Sequence, residues 1–398
     1  MSKKNRTKKP IRRRLIAIIS LAIVIILIVG LMQHYVMCRL DAHERRIGGF
    51  YLEEENSLDM VIMGSSETYN GFVPAKAYEK CGITSYLYGF QACPGSLWKY
   101  MIKEIERSQD PDVLIIECNG ICYSDEDQNN PSDIRFLSDD MPFSSNKIDL
   151  VKERGEESTL SYFFPFLKYH VHLIPGYGSY SKYLMEKRGF NITRGNQARV
   201  SGDIPDKDVI DVTGDDSVAD IDTGAEADLR AFLEQCQESD IEHIVFVRFP
   251  HVVTGFNYWR FQQYHRVKQI VEEYGFDYID FDEYKDDMNL TFENDFLDCE
   301  HLNAQGAIKM TEFMTPFIME RYGIEPREQS EENVETWEDS VTYYNRLYEY
   351  WKYFKATYPE ELRGDYDLND NYESMKRIDA YFDGHPIAPK NKNTKSDK

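Results

Sequence analysis

The sequence predicts an α/β protein with a doubly wound, five-stranded parallel sheet, flanked by helices and preceded by one transmembrane helix. Three observations predict this class. An uncharged apolar run lies near the N-terminus, five short apolar segments of strand length follow it, and helical patterns separate those segments. The chain has 398 residues, of which 42% are hydrophobic and 29% are charged, so it can bury the core of one large domain or of two ordinary ones.

The N-terminal segment is basic and then apolar. Residues 1–14 contain eight Lys and Arg and no acidic residue, and residues 15–32, LIAIISLAIVIILIVGLM, carry no charge. At about 1.5 Å per helical residue, such a run spans most of a hydrocarbon core of roughly 30 Å. A signal peptide is the alternative, but the run exceeds an h-region of about 7–15 residues and no A-x-A-like site follows. We therefore predict a cytoplasmic tail at 1–14 and a retained signal-anchor at 15–35, with the remaining chain outside the cytoplasm.

The outer part of the chain is strongly acidic. Beyond residue 14, 38 Lys and Arg stand against 69 Asp and Glu, which gives a formal charge of −31. A domain with this charge repels nucleic acid, so nucleic-acid binding is not expected. The seven cysteines show no paired metal spacing, and the proximity of Cys118 to Cys122 without a nearby His is a weak zinc signal. We expect no metal or cofactor, and a disulfide stays open.

The sheet domain is expected at residues 57–325, after a connector at 36–56. Its strand candidates share short, nearly continuous apolar runs and are DMVIMG (59–64), TSYLYG (84–89), DVLIIEC (112–118), EHIVFVR (242–248) and DYIDF (277–281). The segments between them with helical patterns are residues 70–81, 96–108, 225–239 and 258–275. Right-handed crossovers between parallel strands then give a doubly wound sheet, whose functional groups gather at the carboxyl ends of the strands.

Two regions depart from the strand–helix alternation. Residues 123–220 are polar at both ends and aromatic in the middle, which predicts one long insertion after the third strand. Within it, His170 and His172 can be interpreted as metal ligands, although an aromatic, hydrogen-bonded loop is favoured because no carboxylate cluster accompanies them. Residues 326–385 are rich in Tyr and Glu with helical periodicity and predict a helical extension, whereas residues 386–398 predict a disordered tail.

A serine and a histidine–aspartate pair are expected at the same edge of the sheet. The segment GSSE (64–67) ends the first strand, and Asp298-x-x-His301 lies in the loop before the last sheet-domain helix. A serine nucleophile needs a neutral base, and that base needs an orienting carboxylate. A serine that only caps the next helix, and a polar loop with a His, are the ordinary alternatives. We predict Ser66 as nucleophile, with Cys299 and Glu300 as spacers.

These two motifs resemble the first and last catalytic blocks of the SGNH (GDSL-like) esterase and acyltransferase superfamily. GSSE is similar to its G-D/S-S block, and DCEHLNAQGAIKM (298–310) is similar to its D-x-x-H block. The resemblance implies the SGNH-hydrolase type of flavodoxin-like sheet, with Ser66 as nucleophile, His301 as general base and Asp298 as its orienter. Ser65 stands where many relatives carry Asp, so the choice between the two serines stays open, with Ser66 favoured.

The resemblance also implies three oxyanion donors. They are the backbone N–H of Ser66, a Gly after the second strand and an Asn after the third. Gly89 is the candidate for the second donor and Gly95 its rival. Asn119 follows the third strand, but the G-x-N-D pattern of the family is missing, so Asn119 as a turn residue is the alternative. Gln91 is the candidate to supply a side-chain N–H in place of Asn119, and it is also expected to bind substrate.

Arg248 ends the fourth strand, where a cation could bind an anionic group of the substrate. A structural ion pair is the alternative interpretation at this position. The sequence alone leaves both open.

The basic tail, single anchor and outer domain resemble a membrane-anchored branch of the superfamily, similar to the DltD-type and alginate O-acetylation proteins. This implies a serine esterase or O-acyltransferase of the cell membrane. Its substrate would be acetyl or D-alanyl groups on a cell-envelope or exported polysaccharide, and its partner a membrane-bound O-acyltransferase. A catalytically silent scaffold that binds polymer or an assembly partner is the main alternative, and a plain secreted lipase is a third.

Overall fold

The computed structural model describes residues 8–35, 42–155, 159–164, 166–169, 192–199, 208–357 and 372–386. The chain divides into two compact units, one formed by residues 1–40 and 155–188 and the other by residues 41–154 and 189–398. The strands are β1 (Met60–Gly64), β2 (Ser85–Gly89), β3 (Val113–Glu117), β4 (His243–Arg248) and β5 (Asp277–Asp280).

The helices of the described chain are α1 (Lys8–Tyr35), α2 (Ala42–Phe50), α3 (Ser66–Gly71), α4 (Pro74–Cys81), α5 (Trp98–Ser108), α6 (Asp125–Gln128), α7 (Pro131–Ser138), α8 (Ser145–Arg154), α9 (Leu160–Phe163), α10 (Phe166–Tyr169), α11 (Thr223–Gln237), α12 (Tyr258–Glu273), α13 (Phe292–Asp295), α14 (Ala304–Tyr322), α15 (Glu331–Thr357) and α16 (Tyr372–Phe382). Helices α1, α9 and α10 belong to the first unit, and all other elements belong to the second.

Helix α1 carries the apolar N-terminal segment. Its stretch Ile11–Leu31 has 21 residues, none of them buried, and is long and apolar enough to cross a membrane. An N-terminal signal sequence can meet the same criteria of length and hydropathy, so the retained anchor and the cytoplasmic N-terminus stay predictions.

The second unit is built on a five-stranded parallel sheet in the order β2-β1-β3-β4-β5. The predicted doubly wound sheet is therefore confirmed, and its strands begin and end within two residues of their predicted bounds. The chain moves outward from β1 to β2 and then crosses back to β3, so the strand order reverses between β1 and β3. Ligands of open α/β sheets bind at such a switch point, outside the carboxyl ends of the strands.

The strands are apolar because both faces of the sheet are covered. Every residue of β1, β2 and β3 is buried. On one face, Ile62 of β1 and Val247 of β4 share a hydrophobic core with Met310 and Met314 of α14. This packing fixes α14, and with it the loop that precedes this helix, against the carboxyl half of the sheet.

One predicted helix is wrong in its extent. The helix predicted at 70–81 is two helices, α3 and α4, with Phe72 and Val73 extended around the break. Pro74 opens α4 and has no backbone N–H, so it cannot continue the preceding helix. The break lets α3 start directly after β1, which places the GSSE turn at a helix N-terminus.

The predicted helical extension contains α15 and α16. Tyr344 and Trp351 of α15 are buried in a second hydrophobic cluster together with Ala304 of α14. Long-range packing therefore joins α15 to the sheet unit. The boundary of the extension at residue 326 stays a prediction, and residues 387–398 of the predicted tail lie outside the described chain.

Candidate active site

A glycine turn places two serines at the carboxyl end of β1. A Cβ at Gly64 would lie 2.7 Å from Thr68 Oγ1 and 2.8 Å from Glu117 Oε2, so a larger residue would displace both side chains. Ser65 occupies the N-cap position of α3 but makes no side-chain cap hydrogen bond. Its hydroxyl donates instead to Glu117 Oε2 at 2.7 Å. The helix-capping interpretation therefore does not describe this turn, and Ser66, half-buried, begins the helix.

Ser66, His301 and Asp298 form one hydrogen-bonded chain. Ser66 Oγ lies 2.7 Å from His301 Nε2, and His301 Nδ1 lies 2.9 and 3.0 Å from the two carboxylate oxygens of Asp298. Because a carboxylate only accepts, His301 carries its proton on Nδ1 and leaves Nε2 free to accept the serine proton. This is the geometry that activates a serine nucleophile. Residues 66 and 301 meet across a sequence separation of 235.

The Asp298–His301 loop is organised by its own aspartate. Asp298 Oδ1 accepts the backbone N–H groups of Glu300 at 2.8 Å and of His301 at 2.9 Å, which closes a tight turn. Asn303 then caps α14 by accepting two backbone N–H groups of its first turn. One carboxylate therefore orients both the imidazole and the loop that carries it.

The electrostatics of this pair favour a basic histidine. Burial alone would raise the pKa of Asp298, but hydrogen bonds and the charge of His301 lower it below its ordinary value. Burial alone would lower the pKa of His301, but the hydrogen bond and charge of Asp298, with smaller contributions from Glu67 and Glu300, raise it above its ordinary value. A raised pKa makes the imidazole a stronger base and stabilises the imidazolium that forms when it takes a proton.

The structure places Ser66, and not Ser65, against the histidine. Ser65 is fully buried, and its hydroxyl and backbone N–H both donate to Glu117. Ser66 reaches His301 Nε2 from the more open side of the turn. Neighbouring serines cannot be told apart by sequence alone, because their side chains leave the turn in different directions.

The predicted oxyanion donors lie on the strands that flank β1. Gly89 ends β2 and pairs with Gly64, and a Cβ at Gly89 would collide with the carbonyl oxygen of Gly64. Asn119 follows β3, the neighbour of β1 on its other side, and is buried. Asn119 Oδ1 accepts a hydrogen bond from Arg260 at 3.2 Å, so its NH₂ group is the end of the amide left to donate. These positions agree with the proposed donors, whose role stays a prediction.

The rival donors lie in the segment after β2. Gly95 begins a short 3₁₀ helix and packs against Ile121, and Gln91 is exposed beside Ala92, whose φ is 52°. Exposure leaves Gln91 free to meet a bound molecule, and no contact ties it to the serine turn.

Arg248 is placed where it cannot hold a substrate group. Its side chain is 1% exposed, and its guanidinium lies 3.0 Å from Asp280 and 3.8 Å from Asp282. It also stacks over the ring of Tyr264. The structural ion pair, rather than the substrate contact, describes this residue.

Two buried carboxyl groups beside the serine turn were not predicted. Glu67 follows Ser66 and lies 2.9 Å from His251 Nε2. Burial, with the charge of Glu300 next, raises the pKa of Glu67 well above its ordinary value, and burial with Arg248 lowers the pKa of His251 to about 4. Burial therefore disfavours the charged form of both Glu67 and His251.

Glu117 is the second of these carboxyl groups. It ends the otherwise apolar β3, and burial together with the charge of Glu67 raises its pKa to about 8. An acidic residue that ends an apolar strand was the available sequence signal for Glu117. His251, three residues beyond β4, gave no comparable signal.

Arg260 connects the two sides of the site. Its guanidinium donates to Asn119 Oδ1 at 3.2 Å and to Glu300 Oε1 at 3.3 Å. Glu300 is therefore not merely a spacer, because it ties the histidine loop to α12. The same guanidinium lies 5.1 Å from the ring of Trp259 and 5.4 Å from the ring of Tyr123.

The described part of the chain contains no disulfide and no cluster of potential metal ligands. Its six cysteines are free, and no group of three or more potential metal ligands occurs there. Cys38, His170 and His172 lie outside the described residues.

No family model matches the chain, and no curated protein matches it. Among the solved structures it is similar to a protein from Parabacteroides merdae described as a GDSL-like lipase. The identity is 12% and the TM-score 0.29, over 69% of this chain and 99% of the other. The order of the strands defines the fold, and the geometry of the side chains defines the site.

Proposed function

We propose that this protein is a serine esterase or O-acyltransferase that forms an acyl intermediate on Ser66. The observation that carries the proposal is the continuous hydrogen-bonded chain Ser66–His301–Asp298 at the carboxyl edge of the sheet. A serine hydroxyl is a weak nucleophile, and this arrangement supplies the base and the orienting carboxylate that it needs.

The reaction follows from the proton positions. Ser66 Oγ attacks the ester carbonyl carbon while His301 Nε2 takes the hydroxyl proton, and Asp298 stabilises the resulting imidazolium. The carbon–oxygen bond to the leaving group then breaks, and the imidazolium returns the proton to the leaving oxygen. Water, or the hydroxyl of an acceptor, repeats the sequence on the acyl-enzyme, which gives hydrolysis or transfer.

Within this class we place the protein in the SGNH type, in the membrane-anchored branch. The position of GSSE directly after β1 and of Asp298-x-x-His301 before α14 supports the first assignment. The apolar helix Ile11–Leu31, preceded by basic residues, supports a single anchor with the site outside the cytoplasm. A membrane-bound O-acyltransferase as partner is proposed from the resemblance alone.

The proposed substrate is an acetyl or D-alanyl ester on a cell-envelope or exported polysaccharide. Phe256 and Trp259, near the start of α12, are 75% and 46% exposed, and Trp259 stacks beside Arg260. Aromatic side chains commonly line ligand-binding clefts. A sugar ring has an apolar face and a hydroxylated edge, which suit an indole ring flanked by the polar groups of Arg260 and Glu300.

A serine-directed fluorophosphonate tests the catalytic proposal. Intact mass spectrometry of the folded wild-type protein should show one adduct, and the Ser66→Ala variant should show none. Absence of an adduct on the folded wild type would favour the alternative of a silent, polymer-binding scaffold. Labelling that persists in Ser66→Ala would contradict the assignment of the nucleophile.

A further inference from the structure

A buried carboxyl group lies between the turn after β1, which carries Ser66, and the turn after β3. Glu117, the last residue of β3, is fully buried. Its Oε2 accepts the backbone N–H of Ser65 at 2.9 Å and faces the Ser65 hydroxyl at 2.7 Å. Its Oε1 accepts the backbone N–H of Asn119. One side chain therefore bonds to the turn after β1 and to the turn after β3.

The residues that Glu117 contacts are neighbours of the proposed oxyanion donors. Ser65 directly precedes Ser66, whose backbone N–H is the first donor, and Asn119 is itself the third. A shift of either turn changes the distance between these donors and the oxygen atom on which charge develops. The missing Cβ of Gly64, which would lie 2.8 Å from Glu117 Oε2, leaves the space that this bridge needs.

We infer that Glu117 is a positioning residue of the acyl-transfer site, which sets the distance between the Ser66 turn and Asn119. The inference rests on the proposed function and adds a residue that acts only through its neighbours. Glu117 does not contact the substrate. Its two oxygens are the feature that matters, because each accepts a backbone N–H from a different turn.

This requirement separates a carboxyl group from its isosteric amide. Above its pKa of about 8, Glu117 is a carboxylate with two acceptor oxygens. Glutamine has the same shape but only one acceptor oxygen, so at such a pH Glu117→Gln can hold one turn and must turn its NH₂ group toward the N–H of the other. We expect Glu117→Gln to fold and to lower kcat by about 10²-fold, as the loss of one oxyanion donor does. KM for a small ester such as 4-nitrophenyl acetate should stay within about twofold, because substrate binding before the reaction is untouched.

Relocation of the carboxyl group provides a rescue test. The Ser65 hydroxyl lies 2.7 Å from Glu117 Oε2, so an aspartate at position 65 would extend into the space that Glu117→Ala vacates. The Ser65→Asp/Glu117→Ala double variant should therefore recover at least about tenfold in kcat over Glu117→Ala. Ser65→Asp alone should be poorly active, because it crowds two carboxyl groups into one buried site.

The matched control is Glu53→Gln, which breaks a buried ion pair with Arg194 away from the serine turn. It should lower the melting temperature without changing kcat of the folded protein. The inference would be overturned if the fluorophosphonate labels Ser66 but Glu117→Gln keeps the wild-type kcat. It would also be overturned if the decrease in kcat is no larger than the unfolded fraction of the variant explains. Absence of labelling in the folded wild type would overturn the proposed function, and the role of Glu117 with it.

Discussion

The two sides of the candidate site are built in different ways. The base side is local, because Asp298 orients His301 and closes the loop that carries both residues within four positions of the chain. The proposed oxyanion donors come from the ends of β1, β2 and β3, where the buried Glu117 bonds to the turns after β1 and β3. A local arrangement is visible in a short motif, whereas an assembled one is visible only after folding. The same difference predicts how each side responds to mutation.

Loss of the base should have the largest effect. Among the residues that the structure describes, His301 is the base within hydrogen-bond distance of the Ser66 hydroxyl, and His301→Ala removes it. We expect kcat for 4-nitrophenyl acetate to fall by about 10⁴-fold or more, with an unchanged melting temperature because the side chain is partly exposed. Activity within tenfold of the wild type would show that the base side is not the site of the chemistry.

Loss of the orienting carboxylate should be smaller and should depend on pH. Asp298→Asn is expected to lower kcat by about 10²–10⁴-fold, because the imidazole loses its orientation and the stabilisation of its charged form. The general base works only when neutral, so wild-type activity should fall as pH decreases through the raised pKa of His301, above about 6.5.

The Asp298→Asn variant should also move the acidic limb of the pH profile. Burial still lowers the pKa of His301, and the contribution of Asp298 that raised it is gone. The limb should therefore shift to lower pH in a plot of kcat/KM against pH. An unchanged limb would mean that another group titrates there.

On the oxyanion side, two variants distinguish the donors. Asn119→Ala should lower kcat by about 10²–10³-fold if its free NH₂ group meets the oxyanion, and Gln91→Ala should then have little effect. The reverse ranking would assign the donor to the exposed Gln91. Equally small decreases in kcat in both variants would leave only backbone N–H groups as oxyanion donors. They would also weaken the proposed contrast between the base side and the oxyanion side.

The smallest effect is expected at the proposed sugar-binding surface. Trp259→Ala should reduce kcat/KM for an O-acetylated oligosaccharide by about tenfold, since aromatic contacts are worth roughly 0.5–1.5 kcal/mol beyond area burial. The rate with 4-nitrophenyl acetate should not change. Phe143→Ala, another exposed aromatic residue at 79%, is the matched control. Equal losses on both substrates would indicate a folding defect rather than a binding surface.

The sequence predicted the parts that depend on local pattern. Continuous apolar strands identified the parallel sheet, and the D-x-x-H spacing identified the base side. The break between α3 and α4 was missed, although Pro74 was an available signal for it. The sequence favoured Ser66 over Ser65 without deciding between them, because the choice depends on side-chain direction at the turn after β1.

The partners of Arg248 and Glu300 were not identified from the sequence, for one physical reason. Arg248 is paired in the sheet with Asp280 of β5, and Glu300 meets Arg260 from a different helix. The partner of each charge comes from a segment whose position is set by the tertiary fold. Charged residues near strand ends therefore cannot be assigned to substrate or to structure from spacing alone.

Ser66 is expected to carry the acyl group during turnover. Acid quenching of the wild-type protein during steady-state hydrolysis of 4-nitrophenyl acetate, followed by peptide mass mapping, measures this directly. We predict one acetyl group on the peptide that contains the GSSE turn, located on Ser66 by fragmentation and absent from Ser66→Ala. Acetyl on Ser65, on another peptide, or on no peptide while hydrolysis proceeds would contradict the role of Ser66 as nucleophile.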